Sequence, residues 1–182
     1  MDATSSATSS FTASVSTHAR QQPYHHGGGA NTVGSAATNL VIQDLLRTMR
    51  TLLDMDIAFV SEMHDDCITL RHLDTHPASA SMAAVGDSSL LAQSYCKRVA
   101  DGRFPNVMPD VLQVPEAVAL PGTAALNIAA YLSVPVTLRN GEVYGTLCCI
   151  SHSPRTALGS RQIDALRKVA EFVSHELEKL RG

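Results

Sequence analysis

No stretch of this chain approaches the ~18 consecutive apolar residues that a membrane helix requires, and its first residues lack a basic segment followed by an apolar one. Neither a membrane span nor a secretory signal is therefore expected, and the cytoplasm is the default location. Concentrated positive charge is missing too. Against 17 Asp and Glu stand 14 Lys and Arg, a formal net charge of −3, so nucleic acid is not an expected partner, because phosphate binding relies on clustered basic side chains. The four cysteines contain no CxxC pair, which resembles neither a disulfide scaffold nor a zinc site. Tryptophan is absent, yet 45% of the 182 residues are apolar, enough for the core of one domain with a flexible extension.

The most informative stretch is Ile128 to Ile150. Ile128, Ala130, Leu132, Val134, Val136 and Leu138 are apolar at a spacing of two, with mixed residues between them, which is the signature of a strand with one buried face. Asn140-Gly141 then predicts a type I′ turn. In the returning half both alternating sets, Val143, Gly145, Leu147, Cys149 and Tyr144, Thr146, Cys148, Ile150, are largely apolar, as a central strand covered on both sides requires. Gly145 marks a bulge or a close approach of another backbone. Pro135 lacks an N–H and belongs at an edge-like position or a bulge.

Residues 1–36, rich in Ser, Thr, Ala and Gly, carry too few large apolar groups to offset the entropy of ordering and are expected to be a disordered arm, with 37–182 as the folded domain. His25-His26 within it reads as part of a solvated polar tract. From a cap at Thr38 or Asn39, Ile42, Leu45, Leu46, Met49, Leu52 and Leu53 fall at helical spacing. Asp56 to Met63 and Cys67 to Leu73 read as a hairpin, Thr75 to Gly86 as a connector, and a second helix is expected from a cap at Asp87 or Ser88 to Ala100, ending at Asp101-Gly102. Four prolines between Arg103 and Asn127 break that segment into a short strand near Val107 to Val111 and a brief helix opened by Pro115, the kind of passage that covers a ligand. After a cap at Ser160, the residues Ile163, Leu166, Ala170, Val173, Leu177 and Leu180 form a heptad-like seam, which serves either a coiled coil or the packing of one helix on the domain. The element order gives an α+β fold with an antiparallel sheet and helices at its sides.

Three stretches, Ser94 to Val111, Ala130 to Ser151 and Leu158 to Leu177, resemble a GAF domain, with similarity to modules found beside cyclic-di-GMP turnover domains or histidine kinases in bacteria. The resemblance implies a five- or six-stranded antiparallel sheet, N- and C-terminal helices on one face and a ligand pocket on the other. The NKxnFxxxDE-type pattern of cyclic-nucleotide-binding members is not found. The implied function is a non-catalytic sensor that binds a small ligand and signals through its terminal helices to a signalling partner or a dimer mate. The cofactor is unknown. Because no output domain follows the last helix, such a chain is expected to act through association.

Candidate ligand-binding residues are Tyr95, Arg98, Asp110 and Tyr131, polar anchors for an otherwise apolar cavity. Cys96, with Lys97 and Arg98 beside it to lower its pKa if exposed, is the candidate for a covalent or redox role. In bilin-binding relatives a cysteine in this neighbourhood attaches the chromophore, usually with histidine immediately after it. The thiol also keeps open two alternatives: a bilin- or haem-binding sensor, and a small enzyme of the free methionine sulfoxide reductase type, which shares the GAF fold. Cys148 and Cys149 point to opposite faces of one strand and read as small core residues. His64, His72 and His76 match no closed metal set. A pure interaction module, its cavity filled by its own side chains, is the remaining class.

Overall fold

The computed structural model describes residues 32–181, and the expected arm falls mostly outside them. A six-stranded sheet, antiparallel throughout, has the spatial order β3-β2-β1-β6-β5-β4. The two expected hairpins form its middle, β1 (Ile57–His64) with β2 (Cys67–Thr75), and β5 (Ala130–Thr137) with β6 (Val143–Ser151). β3 (Ser88–Leu90) and β4 (Val107–Met108) are short edges. The helices are α1 (Thr32–Leu52), α2 (Tyr95–Ala100), α3 (Pro115–Val118), α4 (Pro121–Ala125) and α5 (Ser160–Arg181).

Alternation along the strands divides the core in two. On one face Val134, Val136, Leu147 and Cys149 pack under α1 and α5; on the other Phe59, Tyr131, Cys148 and Ile150 pack under α2 and α3. Cys148 and Cys149 thus belong to separate cores. The seam residues Ile163, Leu166, Ala170, Val173 and Leu177 are all buried in the first of these. Among the two uses open to that seam, the packing of α5 on its own sheet takes it.

Gly145 is forced by its neighbour. It sits opposite Glu62 in the β1–β6 ladder, and a Cβ there would lie 1.8 Å from the Ser61 carbonyl oxygen. Pro135 lies where the edge is bare. The Ser133 N–H donates to Asn106 O at 2.8 Å, and Pro135, two residues on, presents its nitrogen to the same side beyond the end of β4.

Four details differ from the sequence reading. α1 begins at Thr32, so the expected caps lie inside the helix, where Thr38 is buried. The second helix is confined to Tyr95–Ala100, because Ser94 caps it by accepting from Lys97 N–H at 3.1 Å, while Ser88–Leu90 pairs with Cys67 to Thr69 as an edge strand. The β5–β6 turn is not type I′: Gly141 N–H donates to Leu138 O at 2.9 Å and Gly141 alone has positive φ, 84°, the geometry of a type I turn closed by a glycine bulge. Gly159 precedes α5 as its cap, its N–H held by Gln162 Oε1 at 3.0 Å.

Candidate functional site

A cavity of about 400 Å3 lies on the α2 face of the sheet. Its floor is Phe59, Ile68, Tyr131 and Ile150, and Tyr95 and Cys96 reach it from α2. Two passages wall it. One is α4, with Gly122 and Ala125; the other is the stretch from Met82 to Ser89, where the sequence predicts a connector and the start of a helix. Among the described residues no lysine, arginine or histidine lines the cavity, and its one carboxylate, Asp87, accepts from Ala84 N–H at 2.8 Å.

Tyr95 joins α2 to the cover. Its hydroxyl donates to Ala117 O at 3.1 Å and lies 2.5 Å from Thr123 Oγ1, and burial pushes its pKa up. Its ring meets Phe104 edge-on with centroids 5.6 Å apart and tilts over Tyr131 at 4.7 Å. Stacked rings of this kind order one another as well as burying area.

Beneath the floor is a buried polar cluster. Cys148 Sγ has Ser133 Oγ and Thr146 Oγ1 at 3.1 Å and Tyr131 OH at 3.2 Å, with Cys96 Sγ at 3.6 Å. Ser61 Oγ lies 2.9 Å from Thr146 Oγ1 and 3.8 Å from Cys96 Sγ. Hydroxyl donors inside an apolar core stabilise a thiolate more than they would in water. Donation by Cys148, reinforced by Thr146, Tyr131 and Ser61, lowers the Cys96 thiol against a burial that raises it, whereas burial drives Cys148 well up.

The candidate residues therefore separate. Tyr95, Cys96 and Tyr131 come together at the cavity. Arg98 is turned to the cover: its Nε contacts Glu116 Oε1 at 2.8 Å and its Nη1 donates to Ala92 O and Ser94 O. Asp110 caps a turn, accepting from Leu112 N–H at 3.0 Å and from Gln113 Nε2 at 3.1 Å. Sequence reasoning did not bring Ser61, Ser133, Thr146 or Cys148 into the site. The available signal was a run of small polar residues at alternate positions within otherwise apolar strands: Ser133 pairs with Cys148, and Thr146 with both Pro135 and Ser61.

A central antiparallel sheet with the first and last helices on one face and a small-molecule-sized cavity on the other defines an α+β ligand-binding module. The chain matches the GAF domain over residues 38–177 and belongs to that family. Among solved structures it is similar to the blue-light absorbing form of the Thermosynechococcus elongatus PixJ GAF domain, with TM-score 0.66 and 17% identity over 84% of this chain and 92% of that one. It is also similar to the phycoerythrobilin-bound GAF domain of a cyanobacterial phytochrome (TM-score 0.62, 14% identity, 84% and 91% covered). A third is the type II free methionine-R-sulfoxide reductase of Thermoplasma acidophilum (TM-score 0.61, 15% identity, 81% and 96% covered). At these identities the likeness is one of fold. Among curated proteins no sequence matches. No described helix is long and apolar enough to cross a membrane.

Proposed function

We propose that the chain is a non-catalytic sensory domain that takes a small, mainly apolar and non-anionic ligand into the cavity above Tyr131 and signals through α1 and α5. The single observation that carries this reading is the cavity itself, whose lining is apolar and offers no cation to an anionic group. Its size suits a compact organic molecule. The sheet supplies a path to the helices. β5 and β6 present one face to the cavity and the other to α5, and the end of the hairpin is tied to that helix by Ser174 Oγ donating to Thr137 O at 2.7 Å and Arg139 N–H donating to Glu178 Oε1 at 2.7 Å. A ligand that favours one arrangement of cover and sheet shifts its population and so biases α5. With the seam of α5 buried, a partner or dimer mate is left the exposed side of the helices, where Leu40, Val41 and Phe172 stand.

The test is a thermal-shift screen of neutral and cationic heterocycles against matched carboxylates, with Gly122→Phe as control. Gly122 lines the cavity and a Cβ added there meets no atom within 4 Å, so the substitution starts in open space and adds its bulk beside the cavity; circular dichroism and the melting temperature of the unliganded variant check that it folds. Neutral or cationic hits raise the melting temperature in proportion to the logarithm of ligand concentration, and Gly122→Phe abolishes the shift. Hits confined to anions, or shifts that survive Gly122→Phe, refute the reading.

The position of Cys96 in the cavity wall favours one second reading, a thiol enzyme of the free methionine sulfoxide reductase type. Turnover of free methionine sulfoxide by the reduced chain, lost in Cys96→Ser, is its signature, and no turnover removes it.

A further inference from the structure

Cys96 and Cys148 are far apart in sequence, on α2 and β6, yet their sulfurs are 3.6 Å apart. Their surroundings differ in a way that matters chemically. Cys96 lines the cavity and is 4% exposed, so a small molecule inside the cavity meets it. Cys148 is fully buried behind it, in the company of Tyr131, Ser133 and Thr146. One thiol faces the reagent and the other stands within reach of the first, the arrangement of an attacking and a resolving cysteine. The remaining cysteines lack it: Cys67 is half-buried at the start of β2, and Cys149 points into the opposite core.

We propose that Cys96 and Cys148 form a reversible disulfide when a small hydroperoxide enters the cavity. The Cys96 sulfur attacks the terminal peroxide oxygen, the O–O bond breaks, and an S–O bond forms. The alcohol, or water when the oxidant is hydrogen peroxide, leaves with the proton that Cys96 gave up. The Cys148 thiol then attacks the sulfenic sulfur, forming the S–S bond and expelling the hydroxyl as water with the Cys148 proton. Two electrons pass from the two sulfurs to the peroxide, and a dithiol reductant reverses the change by exchange. Closing the sulfurs from 3.6 Å to the ~2.05 Å of a disulfide moves them roughly 1.6 Å together, within the range of a side-chain rotation at Cys96 and a slight shift of the short helix α2. The hydrogen bonds that lower the Cys96 thiol and the burial that raises Cys148 assign the same roles, thiolate at the cavity and proton behind it. The covalent link fastens α2 to β6 across the cavity floor.

The test uses the full chain, reduced, desalted and exposed to hydrogen peroxide, then alkylated under denaturing conditions. The expected product is lighter by about 2 Da before alkylation, the two hydrogens lost in forming the bond, and carries two fewer alkyl groups. Fragmentation of its peptides joins Cys96 to Cys148 and leaves Cys149 alkylated, and dithiothreitol restores all four thiols. Cys148→Ala halts at the Cys96 sulfenic acid, which dimedone traps, and Cys96→Ser slows peroxide consumption at least tenfold. Cys67→Ser changes neither result. A disulfide that uses Cys67 or Cys149, four free thiols after peroxide, or dimedone labelling that persists in Cys96→Ser overturns the proposal. The wild-type peptide map decides the matter even if a variant fails to fold.

Discussion

Replacing Gly145 by alanine adds one methyl group at the point where β1 and β6 come closest. The new Cβ would stand 1.8 Å from the Ser61 carbonyl oxygen and 3.0 Å from the Glu62 Cα, both backbone atoms in the middle of the sheet, so no rotamer change relieves the clash. An ordinary contact needs more than an ångström of extra separation, and the ladder pairs Ser61 with Thr146 and Glu62 with Gly145 have to open to give it. Losing two such hydrogen bonds at about 1 kcal/mol each and forcing an overpacked core at about 1–3 kcal/mol gives a cost of about 3–5 kcal/mol. The stiffer unfolded chain of the alanine variant returns under about 1 kcal/mol. A net loss near 3 kcal/mol corresponds to a melting temperature lower by roughly 6–12 °C for a domain of this size. Urea unfolding at 25 °C, read by circular dichroism with the m-value checked for change, measures it directly. A variant within 0.5 kcal/mol of the parent would refute the reasoning, because the two strands would then have freedom that the close approach denies them.

Ser94→Ala removes the cap of α2, with an expected cost of about 1 kcal/mol and faster hydrogen exchange at Lys97; unchanged exchange there counts against the capping role. Alkaline stability tests the buried Cys149, whose thiol burial raises to about 12 from its ordinary value near 9. A group whose folded pKa is raised stabilises the fold fully below its unfolded pKa, and that stability is lost as pH rises through the folded value. Unfolding free energy should therefore fall between pH 9 and 12 by up to about 1.4 kcal/mol per unit. Cys149→Ala removes this part of the slope and leaves the parts due to Cys148, Tyr95, Tyr131 and Tyr144, whose acid groups burial also raises; urea titrations at pH 8 and 10.5 compare them, and equal slopes in parent and variant sink the assignment.

What was legible in the sequence was whatever period-two alternation and backbone chemistry dictate locally. The central hairpins, the separation of Cys148 from Cys149, the close approach at Gly145 and the bare edge at Pro135 all follow from side-chain alternation or from a missing Cβ or N–H. The elements that misled depend on partners distant in the chain. Ser88–Leu90 carries polar residues that suit a helix start, and it is a strand only because Cys67 to Thr69 offers it a ladder. Arg98 has the chemistry of an anchor, but Glu116, eighteen residues away, takes its guanidinium. Asp110 spends its carboxylate on its own turn. The thiol cluster was illegible for the same reason: Cys96 meets Cys148 only after α2 has been laid across the sheet, and neither residue announces the other in its own surroundings.

The gap left beside Pro135 bears on how copies of this chain behave at high concentration. A flat, unpaired strand border is an invitation to stack border on border into fibrils, and here β4 covers only Tyr131 and Leu132 before it ends. The ring at Pro135 withholds the donor that such zippering needs. Substituting Pro135 with valine would restore a full row of donors and turn a self-limiting rim into an adhesive one.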